Sequence, residues 1–370
     1  MASGLYTPLH DPSIGRVRPG SAPRRPPVIW FAVLGGLILL VSAALLIAWI
    51  SGPDFARVPQ GPDQPPTFMR IALDVGQILM PLIAAFFVYW FILRPWIRER
   101  RVTYDGLLLL AGLSASVYDS FSVAAQPWFA YNSHLLNYGN PLSALPGWIS
   151  LNEPGRAIAW SFPTLPAFYA VAFPLIGIIG CAVLRSAKRL FPRLNRVGLL
   201  IVCIVAMAVF ELFLEGVLFL PLGFWTYAGG AWPILFGGHY YQLPVNEFLH
   251  ITPTMVALVF LRYSVNDRGQ SIVQRGVDQI KSGPIKLAAI QLLAVVAAIH
   301  LIAFALYHIP QTFWALNSHE WPKDVTDRSY FQNQCGRLVD RACPGPGVPI
   351  TRPDSGYVNW DGQYVYPPNR

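Results

Sequence analysis

Seven apolar runs, separated by short basic or Pro- and Gly-rich polar segments, set the pattern of the chain. A helix needs about 20 predominantly apolar residues to cross the hydrocarbon core of a bilayer. The runs fall at residues 28–50, 69–93, 106–125, 162–184, 197–220, 246–261 and 287–307. The sixth is the shortest and reads either as a full crossing or as a re-entrant segment. Pro163, Pro166 and Pro174 predict kinks in the fourth. Residues 126–160, rich in Asn, Tyr, Trp and Gly, predict a structured lid rather than a flexible linker. Residues 262–286 form a charged loop with room for a short surface helix. The fold class that follows is all-α, a polytopic transmembrane helical bundle of about seven spans. Its parts are a disordered tail at 1–27, a membrane domain at 28–307 and a polar tail at 308–370.

Charge orients this frame. Arg16, Arg18, Arg24 and Arg25 precede the first run, and the loops after the second, fourth and sixth runs each hold at least four Lys or Arg. The opposite connections carry only Arg57, Arg70 and Arg156. Short cytoplasmic loops are the basic ones, which places the N-terminus inside and the C-terminus outside a plasma membrane. The same clustering explains the net charge of +8 without a nucleic-acid partner. A hydrophobic content of 54%, only 12% charged residues and a positive mean hydropathy exclude an ordinary soluble domain. The polar, Pro- and Arg-containing residues 1–27 do not read as a cleavable signal peptide. Cys181 and Cys203 lie in apolar runs and read as core thiols. Cys335 and Cys343 lie in the outer tail, where a local disulfide can form.

Ionisable residues inside the runs supply the candidate chemistry. Glu211 and Glu215 stand four apart on one helix face, and Glu247 and His250 open the next run with a spacing that also shares a face. A carboxylate at the bilayer centre costs roughly 2.5–3.5 kcal/mol on insertion scales, so such groups need a polar cavity, a proton, a metal or one another. Asp74 and Asp119 lie near the outer ends of the second and third runs. Solvation at the interface explains those two equally well, and a helix-dipole role explains Glu247. The expected catalytic set is Glu211, Glu215, Glu247, His250 and Asp119. Asp74, Tyr131, Asn132, His134, Asn137, Trp148, Tyr241 and Asn246, at the outer ends and in the outer loops, form the expected substrate-contacting set.

Paired carboxylates in an apolar cavity divide acid and base roles, because two close negative charges cannot both be favoured there. That suits dehydration or ring closure on a lipophilic molecule. A single Glu-x-x-His pair falls short of the two that di-iron carboxylate bundles use, so neither a metal nor another cofactor is expected. Zinc-hydrolase, P-loop, dinucleotide and nucleophile-elbow motifs are absent. A non-enzymatic binding or transport protein for a lipophilic molecule, and a metal-dependent membrane oxidase or hydroxylase, stand as alternatives. The expected partners are the bilayer and a lipophilic small molecule.

Ordered strings along the chain carry a family resemblance. They include Gly52-Pro53 to Pro65-Pro66, Arg94-Pro95-Trp96, Arg98-Glu99-Arg100-Arg101, Tyr131-Asn132-Ser133 and Pro146-Gly147-Trp148. Glu215-Gly216, Pro221-Leu222-Gly223, Arg262-Tyr263, Asn266-Asp267-Arg268-Gly269, Arg328-Ser329-Tyr330-Phe331 and Cys335-Gly336 continue the series. In that order they resemble the avermectin-type spirocyclase (AveC-like) membrane proteins of actinobacteria. The resemblance implies a role in polyketide secondary metabolism, namely dehydration and spiroketal closure of a dihydroxy-ketone. It carries over no catalytic motif, so the site residues above rest on the sequence pattern alone.

Overall fold

The protein's structure, a computed structural model, describes residues 26–124, 128–146, 159–230, 232–316, 319–332, 335, 343, 357–358 and 364–365. It is mostly helical. The helices are α1 (Pro27–Ile50), α2 (Thr67–Glu99), α3 (Tyr104–Ala124), α4 (Thr164–Leu190), α5 (Arg196–Phe219), α6 (Ile251–Tyr263) and α7 (Pro284–Trp314). Five of them, α1, α2, α4, α5 and α7, are long and apolar enough to cross a membrane. On α5 the residues Val197, Ile201, Val205, Val209, Phe213 and Val217 form an exposed ladder at a spacing of four. On α2 the outward face shows Phe68, Ile71, Val75, Ile78, Leu82 and Phe86. Continuous exposed apolar faces of this extent suit lipid rather than water.

Helix α4 is central, with α2, α3, α5 and α6 packed against it, while α7 packs on α1 and α3. Glycines let the backbones close up. A Cβ on Gly35 of α1 would stand 1.9 Å from the carbonyl oxygen of Leu293 on α7, and one on Gly180 of α4 would stand 2.1 Å from Val259 of α6. Small residues at helix contacts are how membrane helices gain dispersion contact without a hydrophobic driving force between them. At the opposite end from the candidate site, Arg262 ties α6 to α3 through Asp105, at 2.6 Å from its Oδ1.

Three helical segments widen to i→i+5 bonding: Tyr89–Leu93, Leu212–Phe219 and Phe304–His308. Each ends two residues before a proline, Pro95, Pro221 and Pro310 respectively. Proline lacks the N–H that would bond four residues back, and its ring crowds that carbonyl. Widening the preceding turn relieves the conflict. At Pro95 the freed carbonyl of Phe91 accepts a hydrogen bond from Thr103 Oγ1 at 2.7 Å. Consequently α2 and α7 run past the expected ends at residues 93 and 307, to Glu99 and Trp314. The kinks expected in the fourth run reduce to one position. Pro163 precedes α4 and Pro166 lies in its first turn, where N–H groups lack helical acceptors anyway, so only Pro174 is internal.

The sixth run differs most from the expectation of a regular span. A 3₁₀ turn, Val245–Leu249, leads through a non-helical His250 into α6, which has only 13 residues. At about 1.5 Å per residue it is about 20 Å long, against about 30 Å of hydrocarbon. The charged loop beyond it holds two 3₁₀ turns, Ile272–Gln274 and Val277–Gln279, in place of a surface helix.

A cap of loops closes the candidate-site end. Strand β1 (Ala130–Tyr131) pairs antiparallel with β2 (Trp225–Thr226), in the register Ala130 to Thr226 and Tyr131 to Trp225. Strand β3 (Ile234–Leu235) pairs with β4 (Leu243–Pro244). The lid expected at 126–160 is ordered where described, with Trp128, Leu135, Leu142 and Trp160 almost wholly buried. The tail is a structural part of this cap: Trp321, Val325, Tyr330 and Phe331 are buried, and Ser133 N donates to the carbonyl of Tyr330 at 2.9 Å. Asp63 of the Pro-rich linker and Ser329 exchange backbone-to-side-chain bonds at 2.8 and 2.9 Å. Cys335 and Cys343 are joined by a disulfide, and Cys181 and Cys203 are free and buried.

Candidate active site

Beneath the cap lies a cavity of about 870 Å³, counting its opening, walled by α3 to α7 and by residues of β1 and β2. Its lining is largely aromatic and aliphatic, interrupted by the carboxylates of Asp119, Glu211 and Glu215. A mostly apolar concavity with a few convergent polar groups is the usual form of a small-molecule site.

Three glutamates meet at one wall, Glu211 and Glu215 lining it and Glu247 behind them. Glu211 closes the regular part of α5, and Glu215 follows in its widened turn. Glu247 comes from the 3₁₀ turn before α6. Each offers one carboxylate oxygen, and these three atoms lie within 4.8 Å of one another. Glu211 and Glu247 are 1% and 0% exposed. Glu215 is half-buried as a residue, but its Oε2 is sealed from solvent. Tyr227 Oη donates to Glu215 Oε1 at 3.0 Å. Glu211 Oε1, Glu215 Oε2 and both oxygens of Glu247 have no hydrogen-bond partner among the described residues. At an effective dielectric of about 20, two ionised groups at such a separation repel by about 3–4 kcal/mol. Three buried carboxyl groups in this space therefore hold a proton among them or a compensating cation.

His250, fully buried, places Nε2 2.8 Å from Glu247 Oε2. The separation is that of a hydrogen bond, yet neither atom meets the angular requirement, and both ring nitrogens lack a partner among the described residues. A hydrogen bond weakens steeply off its axis, so the two groups form a close polar contact rather than an aligned hydrogen bond. The rings of Tyr307 and Trp128 flank the imidazole, with centroids at 5.3 and 6.1 Å. Glu247 and His250 sit behind the cavity wall that Glu211 and Glu215 form.

Asp119 holds a second pole on the same cavity. Its Oδ1 accepts from Tyr169 Oη at 2.7 Å, and its Oδ2 accepts from Tyr131 Oη. Two phenolic donors fix the carboxylate's direction. Asp119 is thus satisfied where the triad is not.

The structure brings Asp119, Tyr131, Glu211, Glu215, Glu247 and His250 together. Asn246 shares the turn of Glu247 and is buried with both amide atoms unpartnered, but it does not line the cavity. The other expected contacts lie elsewhere. Asp74 is more than half exposed and stands 3.0 Å from His134 Nε2, outside the cavity. The side chain of Asn132 donates to the carbonyl of Gly223 at 2.9 Å and accepts from His134 N at 3.0 Å. Asn137 accepts from Val58 N at 3.0 Å and donates to the carbonyl of Leu135 at 2.9 Å. These two asparagines spend their polar groups on the cap itself. Tyr241 stacks on His239 at 4.9 Å in the β3–β4 turn. Trp148 lies outside the described residues.

Tyr169, Tyr227, Tyr307 and His308 line the cavity without having been singled out from sequence. A tyrosine in an apolar run reads as core; the available signal was the pairing Tyr307-His308 at the end of such a run.

Neither the curated proteins nor the solved structures offer a match to this chain. The profile of the family described as Spirocyclase AveC-like matches residues 99–331, a stretch that contains the triad, His250, Asp119 and most of the cap. The match covers more than half of the chain, and on that ground the protein belongs to the AveC-like spirocyclase family.

Proposed function

We propose that the protein is a multi-pass plasma-membrane cyclase that closes a spiroketal or related ring on a lipophilic, polyketide-like hydroxy-ketone. The observation that carries this reading is the pair of poles on one apolar cavity: an unsatisfied carboxylate triad on one wall and a doubly hydrogen-bonded Asp119 on another. The family match supports a cyclase-related activity. In this reading the chain crosses the bilayer seven times with its N-terminus inside, α6 and its 3₁₀ lead-in serving as the sixth crossing. The cavity then opens on the outer side, beneath the cap.

Ketal closure needs an acid to expel water, stabilisation of an oxocarbenium ion and a base for the incoming hydroxyl. Glycoside hydrolysis meets the same demand with two carboxylates. Glu211 and Glu215 form the acid pole. The hydroxyl of a hemiketal carbon leaves as water, taking its proton from that pole, and the C–O bond electrons depart with it. Asp119, oriented by Tyr131 and Tyr169, stabilises the cation. A second substrate hydroxyl then adds to the carbon and passes its proton to Asp119, which returns it to the triad through the cavity. One water is released, and the protein ends as it began. The aromatic walls exclude bulk water that would compete with the internal hydroxyl.

Purified full-length protein incubated with a dihydroxy-ketone and followed by mass spectrometry tests this reading. Glu215→Gln and Asp119→Asn should each lower formation of the product 18 mass units lighter by about a hundredfold or more. Wild-type turnover rates in both variants would remove the two poles from the mechanism.

A further inference from the structure

In the sequence Glu247-x-x-His250 and Glu211-x-x-x-Glu215 invite a metal reading, but with a single Glu-x-x-His pair and two separate runs the signal is weak. The fold changes the count by adding Glu211 and Glu215 of α5 to Glu247 and His250. We infer that Glu211, Glu215, Glu247 and His250 form a binding site for one divalent first-row transition ion, of the class Mn²⁺, Fe²⁺ or Zn²⁺.

Two features of His250 support this beyond the clustering of acids. His250 is wholly buried, neither ring nitrogen has a hydrogen-bond partner among the described residues, and its Nε2 faces the triad. In addition, Nε2 and Glu247 Oε2 approach to 2.8 Å without hydrogen-bond alignment. Adjacent ligands on one ion, each about 2.0–2.2 Å from it, stand about 3 Å apart, and opposed ones about 4 Å. The separation of the imidazole and carboxylate, and the 4.8 Å limit on the three oxygens, both fit that spacing within small side-chain shifts.

Ligand chemistry narrows the ion. Carboxylates alone would suit Mg²⁺ or Ca²⁺, whereas an imidazole among them favours Mn²⁺, Fe²⁺ or Zn²⁺, and the absence of a thiolate disfavours Cu⁺. The outer shell is partly built, since Tyr227 orients Glu215 by donating to its Oε1. Glu211 and Glu215 also border the cavity, which leaves an open coordination side toward substrate. The inference rests on the preceding reading of the triad as the acid pole. A water held on the ion would then be the acid, because a divalent cation lowers the pKa of its bound water by many units.

The test is elemental analysis of the full-length protein in detergent, before and after chelator treatment, with thermal unfolding of the stripped form in added MnCl₂, ZnCl₂ or MgCl₂. The expected result is about one transition ion per chain, and a Tm raised by several degrees with Mn²⁺ or Zn²⁺. Glu247→Gln and His250→Gln should each lose the ion and the Tm response, whereas Asp119→Asn should keep both. Because the wild-type result stands alone, a variant that does not fold leaves the test intact. Wild-type protein that holds under about a tenth of an ion per chain and ignores added Mn²⁺ and Zn²⁺ overturns the site. A response to Mg²⁺ alone overturns the assignment to a transition ion. Full turnover by stripped wild type, with turnover lost in Glu215→Gln, overturns the metal site while leaving the cyclase reading in place.

Discussion

The cap and the bundle both shield carboxylates from water, and they treat them in opposite ways. In the cap, Asp324 accepts from Tyr240 N at 2.9 Å and from Arg328 Nη2 at 2.7 Å, and Arg328 also lies over the Tyr240 ring. Burial would raise the Asp324 pKa, but the backbone N–H and the guanidinium outweigh it and hold the carboxyl below its ordinary value. In the bundle, Glu211, Glu215 and Glu247 are shielded more completely, and four of their oxygens have no hydrogen-bond partner among the described residues. A fold that needs a carboxylate for architecture surrounds it with donors. One that leaves carboxylates unpaired at membrane depth bears a standing cost that function has to explain.

Replacing one member of each set sharpens the contrast, and Glu211→Gln should have the largest effect. It removes one ionisable carboxyl from a crowded cluster while keeping the side chain's volume. Turnover should fall by about a hundredfold or more, while the Tm of the chelator-stripped protein holds or rises, because functional strain is relieved. Product formation and thermal unfolding on the same preparation decide it. A Tm that drops as far as a core truncation would mean the triad is architecture, and the contrast with the cap would disappear.

Asp324→Asn should act in the opposite sense, lowering stability by a smaller amount without touching chemistry. Because the folded-state pKa is depressed, the contribution of Asp324 is fully present above the unfolded carboxyl value of about 4 and is lost as pH falls through the folded one. The Tm gap between wild type and variant should therefore be constant near neutrality and close below about pH 4. A gap that stays open in acid would show that Asp324 stabilises the cap by packing rather than by charge.

What could be read from the chain divides along a physical line. Hydropathy reports depth along a helix, and the acidic residues of α3 and α5 and the Glu247–His250 pair were legible because depth is what makes them costly. Depth carries no azimuth. Asp74, like Asp119, lies near one end of its apolar run, yet its side chain meets His134 of the cap rather than the cavity. The cavity tyrosines were hidden because a phenol is apolar over most of its surface, and only a partner across the fold, such as Asp119 for Tyr169, gives its hydroxyl a role. The tail misled through composition, since its polar average masked Trp321, Tyr330 and Phe331, which bury against the lid. The widened turns of α2, α5 and α7 left a signal after all, a proline two residues downstream in each. Pro81 and Pro174, inside regular helix, show that the signal is not sufficient by itself.

The smallest effect belongs to Asp74, and it tests azimuth directly. Its carboxylate is 56% exposed and pairs with His134 Nε2 at 3.0 Å, while Gln77 Nε2 donates to the same oxygen at 3.1 Å. Exposed pairs of this kind contribute about 0–1 kcal/mol and weaken with salt. Asp74→Asn keeps the volume and most of the hydrogen bonding, so turnover should stay within about twofold of wild type and Tm within a degree or two. A loss of turnover comparable to that of Glu211→Gln, with Tm unchanged, would mean that the outer end of α2 reaches substrate. The two poles would then need a third, and exposure would no longer separate the carboxylates that hold the fold from those that act.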